Sequence, residues 1–135
     1  MTDTVADIAR YRLERAREAL VEAEILLNSG HANTFVNRLY YAAFYAVSAL
    51  LYLQNLQSSK HSGIRAFFHQ HAVKPGIVSR ELGALYDLLY MRRQTGDYDD
   101  LVHFDIDEVA PLLPETLAFV QAIEQLLQKE LHMED

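Results

Sequence analysis

Asn33 to Gln54 reads NTFVNRLYYAAFYAVSALLYLQ, and Arg38 is its only charged residue. Apolar side chains fall on nearly every side of the helix this stretch would form. Such a helix cannot lie on a surface, so it must be a central one with other elements packed around it. Ala42, Ala43, Ala46 and Ala49 let those neighbours approach closely.

The rest of the chain supplies the covering pieces. From Thr4 to Ser29, apolar residues recur at helical steps (Ile8, Leu13, Ala16, Leu20, Ala23, Leu27), and Gly30 stands where a helix would be capped. A short helix is predicted over Ser59–Ala72, capped by Ser58 or Ser59 and ended by Lys74-Pro75-Gly76. A fourth is predicted over Val78–Gln94, carrying Leu82, Leu85, Tyr86, Leu88, Leu89 and Met91, with Gly96 as a left-handed stop. A loop from Asp97 to Phe104 follows. The last helix is expected over Asp107–Leu131, with Pro111 and Pro114 in its first turns and a stripe of Leu113, Leu117, Val120, Ile123, Leu127 and Leu131. Strand signals are weak. The short connections predict antiparallel neighbours, hence an all-α, up-and-down bundle of four long helices with the short one packed across an end. At 135 residues, half of them hydrophobic, the chain suits one compact domain spanning 1–135.

Composition narrows the function. Without cysteine there are no disulfides and no thiolate zinc sites, which fits a cytoplasmic protein. No apolar run approaches the roughly 18 to 20 residues of a membrane span, and the N-terminus has no signal core. A net charge of -7 argues against nonspecific coating of nucleic acid. The charge is uneven, however: residues 38–93 carry +5, and residues 94–135 carry -10. The middle of the chain can therefore present a basic surface, or simply a set of solvated faces.

No nucleophile elbow, phosphate loop or zincin motif is present. His69 and His71 are two apart, so on a helix they point apart and cannot share a metal ion. No metal and no cofactor is expected. His61 reads as a surface residue or an anion contact. Arg38 precedes Tyr41 by three residues and lies on the same side of the helix. The two either brace a neighbouring helix end or line a polar notch that faces Arg92, Arg93 and Asp97. In the stretch YMRRQTGDYDD, Arg92 and Arg93 suit a helix C-terminus by dipole alone. Arginines beside Asp97 and Tyr98 also suit a phosphate-handling site.

Taken together, NRLYYAAFYAVSALL, KHSGIRAFFHQHAVKPG and LYDLLYMRRQTGDYDD resemble the HEPN domain of short, stand-alone prokaryotic proteins, over about Arg12 to Gln125. The resemblance implies a helical bundle that dimerises and pairs with a minimal nucleotidyltransferase in toxin-antitoxin modules. Many HEPN proteins are metal-independent endoribonucleases that use an arginine followed, after a short spacer, by a histidine. Two copies of that motif meet in one cleft of the dimer, and some such toxins are silenced by AMP added to a nearby tyrosine. Here four residues follow Arg92, and Asp97 then stands at the histidine's place with Tyr98 directly after it. A carboxylic acid, with its usual pKa near 4, is a poor proton carrier at neutral pH. Arg65 and His71 satisfy the same loose spacing upstream, and His103 could fold back toward Arg93.

The resulting expectation is a toxin-type endoribonuclease acting on single-stranded RNA. Arg92, Arg93, Asp97 and Tyr98 would form the catalytic cluster, and Arg38 and Tyr41 would bind substrate. The alternative is a non-catalytic dimer that binds a nucleotide or the nucleotidyltransferase partner.

Overall fold

A computed structural model of the chain describes residues 4–134, with side chains through residue 131. Thr4 caps the first helix, α1 (Val5–Asn28), in a reciprocal capping box with Asp7. Gly30, at φ +77°, turns the chain into α2 (Ala32–Leu53). A connection this short forces α1 and α2 to run antiparallel. Their contacts show it: Arg12 reaches Ser48, Arg15 reaches Tyr45, and Glu22 reaches Arg38.

α2 is the centre of the bundle, and the helices that precede and follow it pack on it. Phe35, Val36, Leu39, Tyr40, Ala42, Ala43, Ala46, Val47, Ala49, Leu50 and Leu51 are sealed from solvent. Burying one large side chain of this set stabilises the fold by about 1.5–3 kcal/mol relative to leaving it exposed. The alanines leave the space into which α1 settles through its own Ala9, Ala16, Ala19 and Ala23.

α3 (His61–Phe68) is shorter than its sequence suggests and runs into a single π-helical turn, His69–Val73. Neither Ser58 nor Ser59 caps it, since Lys60 stands at the cap position. Ser58 lies two residues before that position. Its Oγ accepts from the Lys60 amide, one residue before the helix starts. Gly76, at φ +86°, completes the stop, and Val78 bonds back to Ala72. Ser79 then caps α4 (Arg80–Tyr98).

α4 departs most from expectation. It does not end at Gln94, and Gly96 is not a left-handed stop, since its φ is not positive. The helix continues through Gly96 to Tyr98, because the ring of Phe104 folds over that glycine. A Cβ there would stand 3.0 Å from Phe104 Cε2. Gly96 is thus a place of close approach.

Pro111 divides the last segment into a short α5 (Ile106–Val109) and a long α6 (Leu112–Glu134). The buried face of α6 is Leu112, Thr116, Phe119, Val120, Ile123, Leu127 and Leu131, while Leu117 is exposed. On α4, Leu88 and Met91 also face outward. The later start of α6 does not move its face. Leu117 is misplaced by reading the stripe through Leu113, when Leu112, Thr116 and Phe119 carry it. No helix among the described residues is long and apolar enough to cross a membrane.

Candidate functional site

The extension of α4 decides the local geometry. Arg93 and Asp97 lie on one continuous helix, four residues apart, and therefore on one face. Arg93 Nε donates to Asp97 Oδ2 at 3.0 Å, and Arg93 Nη2 donates to the Tyr41 hydroxyl of α2 at 3.1 Å. Only 11% of the Arg93 side chain is exposed, so its charge is fixed in place. Its guanidinium carbon lies 5.4 Å from the ring centres of both Tyr40 and Tyr41 and 5.5 Å from that of Tyr98. Burial works against the Arg93 charge. Tyr41, Tyr98, Asp97 and Tyr40 outweigh it and hold the proton more firmly than in a free arginine.

Asn37, which the sequence reading passed over, completes the network. Its Nδ2 donates to Asp97 Oδ2 at 2.9 Å, and its Oδ1 accepts from Arg38 Nε and Nη2 at 3.1 and 2.9 Å. Arg38 also covers the Tyr41 ring at 4.9 Å and pairs with Glu22 of α1. Arg38, Asn37, Asp97, Arg93 and Tyr41 thus form one connected polar patch across α2 and the end of α4. The Asn37 amide and the Arg93–Tyr41 bond both join α2 to α4.

The two adjacent arginines part company. One residue of α-helix turns the side chain by about 100°, so Arg92 leaves this patch and lies 5.7 Å over the Phe104 ring. Asn33 pins the loop that carries Phe104, donating to Val102 O and accepting from the Phe104 amide, both at 2.8 Å. His103 does not turn back to Arg93. It lines a separate cleft of about 390 Å³ with Gly30, His31, Ala32, Asn33 and Thr34.

His61, expected as a surface residue or an anion contact, is half-buried against the tyrosines. It is the first residue of α3, and its Nδ1 sits 2.7 Å from the Tyr40 hydroxyl. Its ring stacks on Phe44 with centres 4.5 Å apart, and lies 5.6 and 5.7 Å from Tyr40 and Tyr41. Burial first, and the Arg93 charge second, lower its pKa below the usual histidine value. Burial likewise pushes the Tyr40 hydroxyl up to about 12, so it stays protonated. The KHSG stretch held the only signal for His61, a histidine at a helix start.

The upstream arginine assembles something different. Arg65 Nε and His69 Nε2 both meet Asp87 Oδ1, at 2.7 and 2.8 Å. Arg65 also covers Tyr90. His71 takes no part and packs beside Phe67. Among the described residues no three His, Asp or Glu side chains converge as a metal site. The largest clefts do not contain the Arg93 patch. One of about 420 Å³ lies between α4 and α6 and is mainly apolar, lined by Leu82, Leu85 and Leu88 among others. On a single chain Tyr98 stands out from the patch into solvent, while Arg93 keeps only a small exposed edge.

Comparison with known proteins gives a consistent picture. The family model for the HEPN domain matches residues 9–126. A UPF0332 protein of Thermotoga maritima is 44% identical over 121 residues, covering 90% of this chain and 92% of that one. A Methanocaldococcus jannaschii protein named "Putative toxin" is 32% identical over 115 residues, covering 85% and 78%. In fold, the chain is similar to a crystal structure of a Thermus thermophilus protein, with a TM-score of 0.74 at 21% identity over 87% of this chain and 96% of that one.

Proposed function

The chain belongs to the HEPN domain family, and from that premise we propose that it is a toxin-type endoribonuclease acting on single-stranded RNA. The observation that carries this reading is Arg93: a permanently charged guanidinium, ordered by Tyr41 and Asp97 and ringed by tyrosines, with a small edge open to solvent. It would bind the phosphodiester and stabilise the negative charge that grows as the ribose 2'-hydroxyl attacks phosphorus. Arg38 and Tyr41 would hold the flanking backbone, and exposed Tyr98 would stack on a base. Asp97 orients Arg93 through the 3.0 Å bond. Arg92, turned onto Phe104, would add charge to the rim.

Two copies would close the patch into a cleft. Tyr98 and Leu101 are 74% and 91% exposed beside it and would give a second copy apolar surface to cover. A minimal nucleotidyltransferase is the antitoxin partner this reading expects. The "Putative toxin" relative supports the toxin part of this reading.

The test is cleavage of a single-stranded oligoribonucleotide in EDTA by the purified chain, beside its 2'-deoxy analogue. Cleavage of the RNA alone is expected, lost in Arg93→Ala and in the Arg92→Ala/Arg93→Ala double variant. Undiminished cleavage by the double variant would remove this patch from the mechanism. Sedimentation should give twice the chain mass, and an active monomer would rule out the two-copy cleft. A second reading, a non-catalytic dimer that takes a nucleotide or the partner enzyme at the same patch, is favoured by one feature. Asp97 already neutralises Arg93 and occupies the family histidine's place. Binding of AMP or partner by an inert wild-type chain would establish it.

A further inference from the structure

Resting on the nuclease reading above, we propose that His61 is the residue that takes the proton from the attacking ribose hydroxyl in this site, though it lies on a different helix from Asp97. Placement comes first. His61 and Arg93 come from α3 and α4, yet both lie against the rings of Tyr40 and Tyr41, at 5.6 and 5.7 Å for the imidazole and 5.4 Å for the guanidinium. A phosphate held by Arg93 would bring its neighbouring ribose to the half-buried Tyr41 ring, since Tyr40 is sealed from solvent.

Orientation comes next. Phe44 fixes the plane of the imidazole, and Tyr40 fixes one of its nitrogens. Nε2 has no protein partner among the described residues and is the nitrogen left for substrate. When Nδ1–H donates to Tyr40 Oη, Nε2 carries a lone pair and can act as a base. Tyr40 must then send its own proton elsewhere. The Tyr86 hydroxyl, buried, without a hydrogen-bond partner among the described residues and on a ring centred 6.0 Å from that of Tyr40, is the acceptor at hand. Tyr40 is thus a positioning residue for the imidazole, accepting from Nδ1 in the tautomer that acts as a base.

The groups facing His61 are Tyr40 and Tyr41 from α2 and Arg93 from α4, with Lys60 beside it in the chain; none is a carboxylate. Nothing nearby stabilises the imidazolium, so the ring is neutral near pH 7, as a base must be. The other described histidines are committed elsewhere. His69 is held by Asp87, His71 lies beside Phe67, and His31 and His103 line the cleft at the α1–α2 turn.

The step balances without a co-reactant. His61 Nε2 accepts the 2'-hydroxyl proton as the 2'-oxygen bonds to phosphorus. The bond from phosphorus to the 5'-oxygen breaks, and that oxygen takes a proton from water. The imidazolium then returns its proton to solvent. The products are a 2',3'-cyclic phosphate and a 5'-hydroxyl end.

The experiment compares wild type, His61→Asn, Tyr40→Phe and His61→Ala on the same oligoribonucleotide in EDTA, with melting temperature and RNA binding by fluorescence anisotropy measured on each. His61→Asn keeps an amide near Tyr40 but cannot titrate. It is expected to cleave at least about 100-fold more slowly, with binding close to wild type, and His61→Ala to regain rate with added imidazole. The wild-type rate should rise with pH through a value below about 6.5, and Tyr40→Phe should move that value. Should His61→Asn melt early, His61→Gln replaces it. A wild-type rate in a folded His61 variant, or a pH profile that His61→Asn leaves intact, overturns His61 and leaves the Arg93 reading standing. An inert wild-type chain overturns both.

Discussion

Two arginine–aspartate clusters lie on either side of the buried tyrosines, and both have a histidine close by. Around Asp87, one carboxylate oxygen takes Arg65 and His69 together. Every charge there has a partner, and the cluster ties α3 and its π turn to α4. Around Asp97, the carboxylate takes Arg93 and Asn37, while the histidine bonds to a tyrosine instead and keeps one nitrogen open. The same residue types tie histidine, arginine and aspartate together in one place and leave the histidine apart from the aspartate in the other. Spacing along the chain points the wrong way, because Arg65 and His71 fit the family's loose pattern while the groups that meet at Arg93 come from α2, α3 and α4. What separates the clusters is whether the histidine bonds to the aspartate itself or to a tyrosine.

The sharpest way to break this contrast is to remove each arginine. Arg93→Ala should lower RNA cleavage by about 100- to 1,000-fold, the usual cost of losing a donor aimed at transition-state charge. Arg65→Ala should leave the rate nearly unchanged and lower stability instead. Single-turnover rates and thermal melts on both variants decide it. Equal losses of activity would show that the Asp87 cluster is part of the site.

A smaller contrast should appear in stability. Asp87→Ala leaves Arg65 and His69 without their shared acceptor, but the side chain is about one third exposed, so the loss is held to about 1 kcal/mol by solvent screening. Asp97→Ala sits at the last turn of α4 and should cost less than about 0.5 kcal/mol. It also frees Arg93, so anisotropy should show RNA binding unchanged or tighter. Weaker binding would mean that Asp97 contacts the ligand rather than orienting Arg93. Denaturant midpoints measure the stability half of this prediction.

How much of this was legible in the chain differs between fold and site. The near-absence of charge from Asn33 to Gln54 fixes α2 as the centre, because no other placement keeps that many apolar groups from water. The stops at Gly30 and Gly76 are local devices and can be read locally, whereas the expected cap at Ser58 or Ser59 is absent and the caps at Thr4 and Ser79 went unremarked. Gly96 cannot. A glycine near the end of an apolar pattern ordinarily stops a helix, and only the packing of Phe104, eight residues on, shows that this one does not. That misreading separated Arg93 from Asp97 by a turn when they share a helical face. Arg92 and Arg93 are indistinguishable in sequence, and the phase of α4 alone sends one to Phe104 and the other to the tyrosines. Asn37 and His61 meet their partners 60 and 21 residues away, so they become visible only once α2, α3 and α4 are assembled.

The smallest expected effect is also the one that tells the clusters apart by acid alone. His61 has its folded pKa lowered, by burial and then by Arg93. The unfolded chain therefore binds its proton more readily, and stability falls as pH drops below about 6.5, until the folded pKa is passed. At Asp87, burial alone would raise the pKa, but the bonds from Arg65 and His69 together with their charges outweigh it, and the net shift is downward. Its contribution is complete above the unfolded carboxylate value of about 4 and is lost only as pH falls through the lower folded value. Acidification should thus loosen the Arg93 side first, near pH 6, and the Asp87 side later, below about pH 4. Melting curves from about pH 7.5 to 3 should show both steps. His61→Asn should remove the first alone and Asp87→Asn the second alone. An NMR titration of the His61 ring adds the direct reading. Its pKa should lie below the free value and rise in Arg93→Gln, because a positive charge beside the imidazole has gone. A His61 pKa that ignores Arg93→Gln would mean the two residues do not share a site, and the contrast between the open and the closed cluster would rest on Asp97 alone.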